Sequence, residues 1–366
     1  MLGRTKGSSE THSWSLCAVG DTLYIYGSGD GQGIKAYDTK NGSVRTVTDR
    51  GVKSAGTASG KLFFNDDRGF FMLDGPEGTE ECLMTFEEKA DRVGTVNDIP
   101  LIETRISEGC NVIGIQNDVI WLYYRAERDL SPDEHSIIGS ECWAAVCRYD
   151  ISTKNTETIK SDHWLVDISG SDEFKNDKGL YVRSQYNVPY EWHLFNGALY
   201  FITDGVVGRL DPATGDETII YISEGSIPCI YWDGDTGYLL EHTGKGVSKT
   251  YYYLTMKLDD GNVSRVQVDK ELADMGILCC YGAEERQFYR FMNRSILAFS
   301  WDRPEEYSEI YHFEDMKKEY DITCIQKIGD TLFYACNKAI ANAEGSAYVG
   351  MIKNGRDEVI LQGKDR

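Results

Sequence analysis

Aromatic and ionisable residues crowd one part of the chain. Trp143, Trp164, Trp192, Tyr181, Tyr186 and Tyr190 share it with Arg125, Arg128, Asp133, Glu134, His135, Asp162 and His163. An indole or phenol ring beside a carboxylate can stack on a sugar while the carboxylate accepts bonds from its hydroxyls, or it can seat an apolar side chain of a peptide. The same residue types also pack between layers of a fold with their charges left in water, which requires no ligand. A second chemistry is acid–base work. Glu134, His135, Asp162 and His163 supply carboxylates and imidazoles for it, provided a fold brings them to one channel.

Local catalytic signatures are missing elsewhere. There is no HExxH, P-loop or GxSxG, and the six His are scattered. "GSGDGQG" at 27–33 has the glycines of a phosphate loop but leads into "IKAYD", a strand, so no helix N-terminus completes an anion site. "DGDTG" at 233–237 and "DPATGDE" at 211–217 lack the alternating ligands and closing Glu of a calcium loop and read as turns. No cofactor and no resident metal are expected.

The ten cysteines form no CxxC pair. Cys17, Cys110, Cys229 and Cys324 each sit in a short apolar run before a turn, a placement that suits a small buried side chain. Cys142 and Cys147, and the adjacent Cys279 and Cys280, point to opposite faces of a regular strand. Reduced core thiols in a reducing compartment are the expectation, with a zinc or redox site as the alternative.

The elements that would position these residues repeat. "NGALYFITDGVVGRLDPATGDETII" (196–220) reads as a Gly turn, an apolar strand, a second strand, a tight turn and an alternating strand. The layout recurs from "GDTLYIYGSGDGQGIKAYDTKNGSVRTV" at 20–47 to "GDTLFYACNKAIANAEGSAYVGMIKNGRDEVIL" near the end, giving seven copies. Second-strand anchors are expected at Leu23, Leu62, Ile120, Leu199, Leu239, Leu297 and Leu332, with the widest gap between Ile120 and Leu199. Four-stranded antiparallel units that cannot cover both faces alone pack radially. The fold class expected is therefore an all-β, β-propeller of four-stranded antiparallel blades, seven in number, with six or eight as alternatives.

The pattern "NG.LYFI.DG...RLDPATG" resembles the degenerate blades of bacterial β-propellers, the superfamily that includes quinoprotein-like, kelch-like and YWTD-type repeats. The resemblance covers residues 14–363 and implies the architecture alone. The kelch double Gly, a regular WD ending and a strict YWTD are absent, so no subfamily is implied.

On this layout residues 1–13 are a tail and 14–363 one propeller domain carrying inserts at 88–109, 125–141 and 161–190. In a meander, first-to-second and third-to-fourth turns share one face, and second-to-third loops share the other with the links between blades. All three inserts fall on the second face, around the third copy, which makes that face the expected working surface. Three functions follow: a non-catalytic binding or scaffolding propeller for a protein or peptide, a carbohydrate-binding propeller with a Trp143 and Trp164 platform, and a hydrolase or lyase with a channel site.

The net charge of −21 repels phosphate backbones and leaves no basic stripe, which excludes nucleic acid as an expected partner. No run of about 18 apolar residues is present to span a membrane, and the start "MLGRTKGSSETHSW" lacks the apolar core of a secretory signal. A cytoplasmic monomer is expected, or an extracellular protein if a leader or anchor has been removed.

Overall fold

Two-residue hairpins and tight Asp-Gly turns cut this sequence into short strands, and the strands assemble into seven blades, each built on four antiparallel strands in sequential order. The fold is all-β, a seven-bladed β-propeller. The computed structural model describes residues 13–28, 33–86, 95–96, 99–100, 102–131, 138–167, 174–175, 181–183, 191–203, 205–244, 249–277, 280–282, 285–317, 320–338 and 347–362.

One turn shows why the repeats fold alike. In blade four Gly215 (φ 78°) donates its N–H to the Asp211 carbonyl at 2.8 Å, and the Asp211 carboxylate accepts from Ala213 N at 2.8 Å. Blade one repeats this with Gly42 (φ 74°), whose N–H donates to the Asp38 carbonyl at 2.8 Å, and with Lys40 N donating to Asp38 Oδ1 at 2.8 Å. Asp closes the turn through its side chain, and Gly supplies the left-handed residue that returns the chain into the fourth strand.

The chain divides into two compact units. One comprises residues 1–62, 74–78 and 231–366, and the other 63–73 and 79–230. The first contains blade one (Ser13–Val19, Thr22–Ser28, Ile34–Asp38, Val44–Thr48), blades six and seven, which begin with Cys280–Gly282 and Tyr320–Ile328, and all of blade five except residues 226–230 of its first strand, Ser226–Asp233. Blades one and seven each draw all four strands from their own end of the chain and share a core of Trp14, Leu16, Ile25, Phe333, Ala335 and Val349. Asn337, on the second strand of blade seven (Thr331–Lys338), fixes that seam. Its Oδ1 accepts from Trp14 N at 2.7 Å and its Nδ2 donates to Trp14 O at 3.0 Å. A short helix, Lys270–Ile277, links blades five and six.

The anchors Leu23, Leu62, Ile120, Leu199, Leu239 and Leu332 lie in second strands and are buried. Leu297 does not. It lies in the third strand of blade six (Ser295–Ser300), after the second strand Gln287–Met292. The cause is the hairpin at Asn293 and Arg294, both at positive φ (52° and 64°), which has the chemistry of a first-to-second turn but joins the next pair.

In the second unit, blade three departs from the rest. Its strands Ile102–Gln116, Val119–Ser131, Gly139–Asp150 and Asn155–Asp167 contain 15, 13, 12 and 13 residues. Strands in the other blades have three to ten. Much of the expected inserts is therefore strand rather than loop: 102–109, 125–131, 139–141 and 161–167 belong to the ladders of this sheet. The remaining described pieces are also paired. Tyr181–Arg183 adds a fifth, parallel strand to the sheet at Trp164–Val166, and Phe174–Lys175 joins Thr95–Val96 and Ile99–Pro100 in a small sheet. The segments 88–109 and 161–190 are thus tied to each other as well as to blade three.

Candidate functional site

Blade three is long at one end only. Ile102 opposes Ser131, Leu130 opposes Gly139 and Gly139 opposes Asp167, so all four strands extend together. At about 3.4 Å per residue, some six added residues carry the sheet roughly 20 Å beyond the length of its neighbours. Of the expected site residues, Arg125, Trp143, Asp162, His163 and Trp164 lie in these strands.

Alternation divides them between two faces. Cross-strand partners place Ala126, Arg128, Glu141, Trp143, His163 and Leu165 on one face, and Arg125, Glu127, Cys142, Asp162 and Trp164 on the other. The first face continues to Tyr124, whose ring lies 6.1 Å from Phe86, and to Tyr149, whose hydroxyl donates to Glu81 of blade two at 2.6 Å. The second packs on blade four through Trp121, Tyr123, Val146, Leu199 and Phe201.

Trp164 has no exposed surface and belongs to that second core, so the carbohydrate platform expected at Trp164 is not formed. Trp192 is half-buried against the same core, with its ring 5.5 Å from Tyr123 and 5.1 Å from Phe201. These two indoles are packing between blades. Arg125 pairs with Glu127 at 3.3 Å, and Asp162 is exposed with its Oδ1 accepting from His163 N at 2.9 Å. Asp162 and His163 are adjacent in one strand and point to opposite faces, so they do not converge as an acid–base pair. Glu134, His135, Tyr186, Asp133 and Tyr190 lie outside the described residues, and Tyr181 is described only as strand.

The first face holds a connected polar cluster. Glu141 is fully buried (0% exposed), with Oε2 3.3 Å from Nε of Arg128 (1% exposed) and Oε1 2.7 Å from Nε2 of His163 (32% exposed). Trp143, half-buried, stands on the strand between those bearing Arg128 and His163. The His163 ring stacks on it at 4.8 Å and 21°, and the Arg128 guanidinium lies 5.0 Å from its ring centre. One carboxylate thus orients both groups that flank the indole. The result is a partly exposed aromatic ring flanked by an imidazole and a guanidinium.

Glu141 is the residue that reading 125–141 as a loop misses. Read as strand, "SECWAAV" places Glu141 two residues before Trp143 and on its face. Among the described residues, no group of three or more His, Cys, Asp or Glu is placed to hold a metal ion. All nine described cysteines are free thiols.

No family model matches the chain, and no curated protein matches it. Solved structures do. Pyrococcus horikoshii acylaminoacyl peptidase aligns at 11% identity and a TM-score of 0.53 over 99% of this chain and 54% of that one. The β-propeller domain of the Trilobed protease from Pyrococcus furiosus aligns at 10% identity and 0.48 over 98% and 100%, and Saccharomyces cerevisiae Sqt1 at 10% and 0.47 over 96% and 86%. The chain spans about half the length of the peptidase, and identities this low speak to the fold alone.

Proposed function

We propose that the protein is a non-catalytic binding propeller that recognises a protein or peptide partner through the extended end of blade three. The observation that carries this reading is the clamped indole of Trp143, half-exposed on a sheet that reaches past its neighbours. A ring already fixed by Arg128 and His163 loses little freedom on docking, so its contact area converts efficiently into affinity. The charge of −21 favours a partner segment rich in Lys and Arg, drawn in by long-range attraction and sensitive to salt. Carbohydrate binding is the weaker reading. Trp164 is buried, and the flanks of the Trp143 ring that a sugar would cover are taken by its two neighbours.

A random peptide library panned against the full chain tests the proposal. Selected peptides should be basic, lose affinity as salt is raised, and bind the Trp143→Ala protein about 30-fold less tightly, the equivalent of a 2 kcal/mol anchor. Equal affinity for wild type and Trp143→Ala, or binding of an oligosaccharide array with no peptide selected, would overturn it.

A further inference from the structure

The first strands of blades six and seven bring two thiols together. Cys280 opens the strand Cys280–Gly282, and Cys324 lies in the middle of Tyr320–Ile328. The Ile325 N–H donates to Cys280 Sγ at 3.3 Å, which places the Cys280 thiol against the backbone next to Cys324, and the Cys324 thiol donates to the Leu16 carbonyl oxygen of blade one at 3.6 Å. Both cysteines are partly exposed. In a propeller without CxxC pairs, contact between thiols on different blades is a product of the fold and not of sequence spacing.

We infer that Cys280 and Cys324 are a reversible redox pair, a modification site at which a hydroperoxide converts two thiols into a disulfide joining blades six and seven. The two cysteines have different roles. The hydrogen bond from Cys324, the Ile325 N–H and the charge of Arg290 all favour the Cys280 thiolate and lower its pKa from 9.0 against the cost of burial. Cys324 shifts the opposite way, because its hydrogen bond to Cys280 and burial keep its proton on. Cys280, whose sulfur accepts the Ile325 N–H, is therefore the attacking thiolate, and Cys324, whose S–H donates to the Leu16 carbonyl, is the resolving thiol. Cys17 on blade one is pushed up to about 12 by burial and stays inert.

The chemistry balances with the peroxide as the only oxidant. Cys280 sulfur attacks one peroxide oxygen, the O–O bond breaks, and the departing oxygen takes a proton to leave as an alcohol or water. Cys280 is then a sulfenic acid. Cys324 gives up its proton and attacks the Cys280 sulfur, the S–O bond breaks, and the oxygen leaves as water. Two thiols have lost two electrons and two protons, and a small dithiol reverses the reaction.

The test uses the reduced full chain, stoichiometric hydrogen peroxide, rapid alkylation of the remaining thiols and peptide mapping without reductant. A peptide linked through Cys280 and Cys324, lost on adding dithiothreitol, is expected before exposed Cys82 is modified. In Cys324→Ser the Cys280 sulfenic acid should persist and be captured by dimedone, whereas Cys17→Ser should leave the linkage intact. The inference is overturned if Cys280 and Cys324 both remain alkylatable while Cys82 oxidises, or if the linkage formed joins either of them to another thiol. Mapping the wild-type chain decides the matter even if a variant folds poorly.

Discussion

Replacing Glu141 by Leu removes a buried carboxylate that ion-pairs with Arg128 at 3.3 Å. The two charged groups approach at 3.3 Å with 0% and 1% of their side chains exposed, so at an effective dielectric of about 20 their attraction is roughly 5 kcal/mol. Desolvating both charges offsets most of that. The net worth of the pair is therefore small, while the cost of removing one member is not: leaving Arg128 buried without the Glu141 carboxylate should destabilise the fold by about 3–5 kcal/mol. The double variant Arg128→Met, Glu141→Leu, which replaces both charges by apolar groups of similar volume, should recover most of the loss. Guanidinium titration followed by tryptophan fluorescence and far-UV circular dichroism measures both. A Glu141→Leu midpoint equal to wild type, or a double variant as unstable as the two single variants added together, would refute the coupling of these residues and with it the rigid pose assigned to Trp143.

Three further outcomes follow from the same structure. Asn337→Leu leaves the Trp14 N–H and carbonyl without their side-chain partner and should cost about 1–3 kcal/mol per orphaned group, with faster exchange of the Trp14 amide as the local readout. Gly350→Ala should destabilise by about 1–3 kcal/mol, because a Cβ there would lie 2.3 Å from the ring of Tyr334, its cross-strand partner, and Gly208→Ala should do the same against Phe201; thermal unfolding reports both. Asp150 is held at about 2 by hydrogen bonds from the Ser152 hydroxyl and Thr153 N–H. Its folded pKa is below the unfolded one, so its contribution is present above about pH 4 and fades as pH falls toward 2; Asp150→Asn should lose less melting temperature over that range.

The blade pattern was legible because each second strand carries a buried aliphatic anchor after a Gly or Asn turn. The pattern failed at Leu297, where a positive-φ hairpin joins a different pair of strands. Blade three was legible as the unusual blade but not as an extended sheet. "RAERDL" and "SDHW" carry charges that lower β propensity, yet they run in strand because Arg128 and Glu141 neutralise each other inside. Period-two alternation then separates what looked like one aromatic and acidic patch into two faces, one turned to blade two and one to blade four. The thiol pair Cys280 and Cys324 was not legible at all, since 43 residues lie between them and only blade packing brings them together.

Amide hydrogen exchange of the full chain, with and without the tightest basic peptide selected from the library, is the most direct measurement of the proposed working surface. Protection confined to the extended strands at 102–109, 125–131, 139–145 and 161–167, and abolished in Trp143→Ala, is the expected result. Protection on other blades, with these strands unchanged, would contradict the placement of the binding surface.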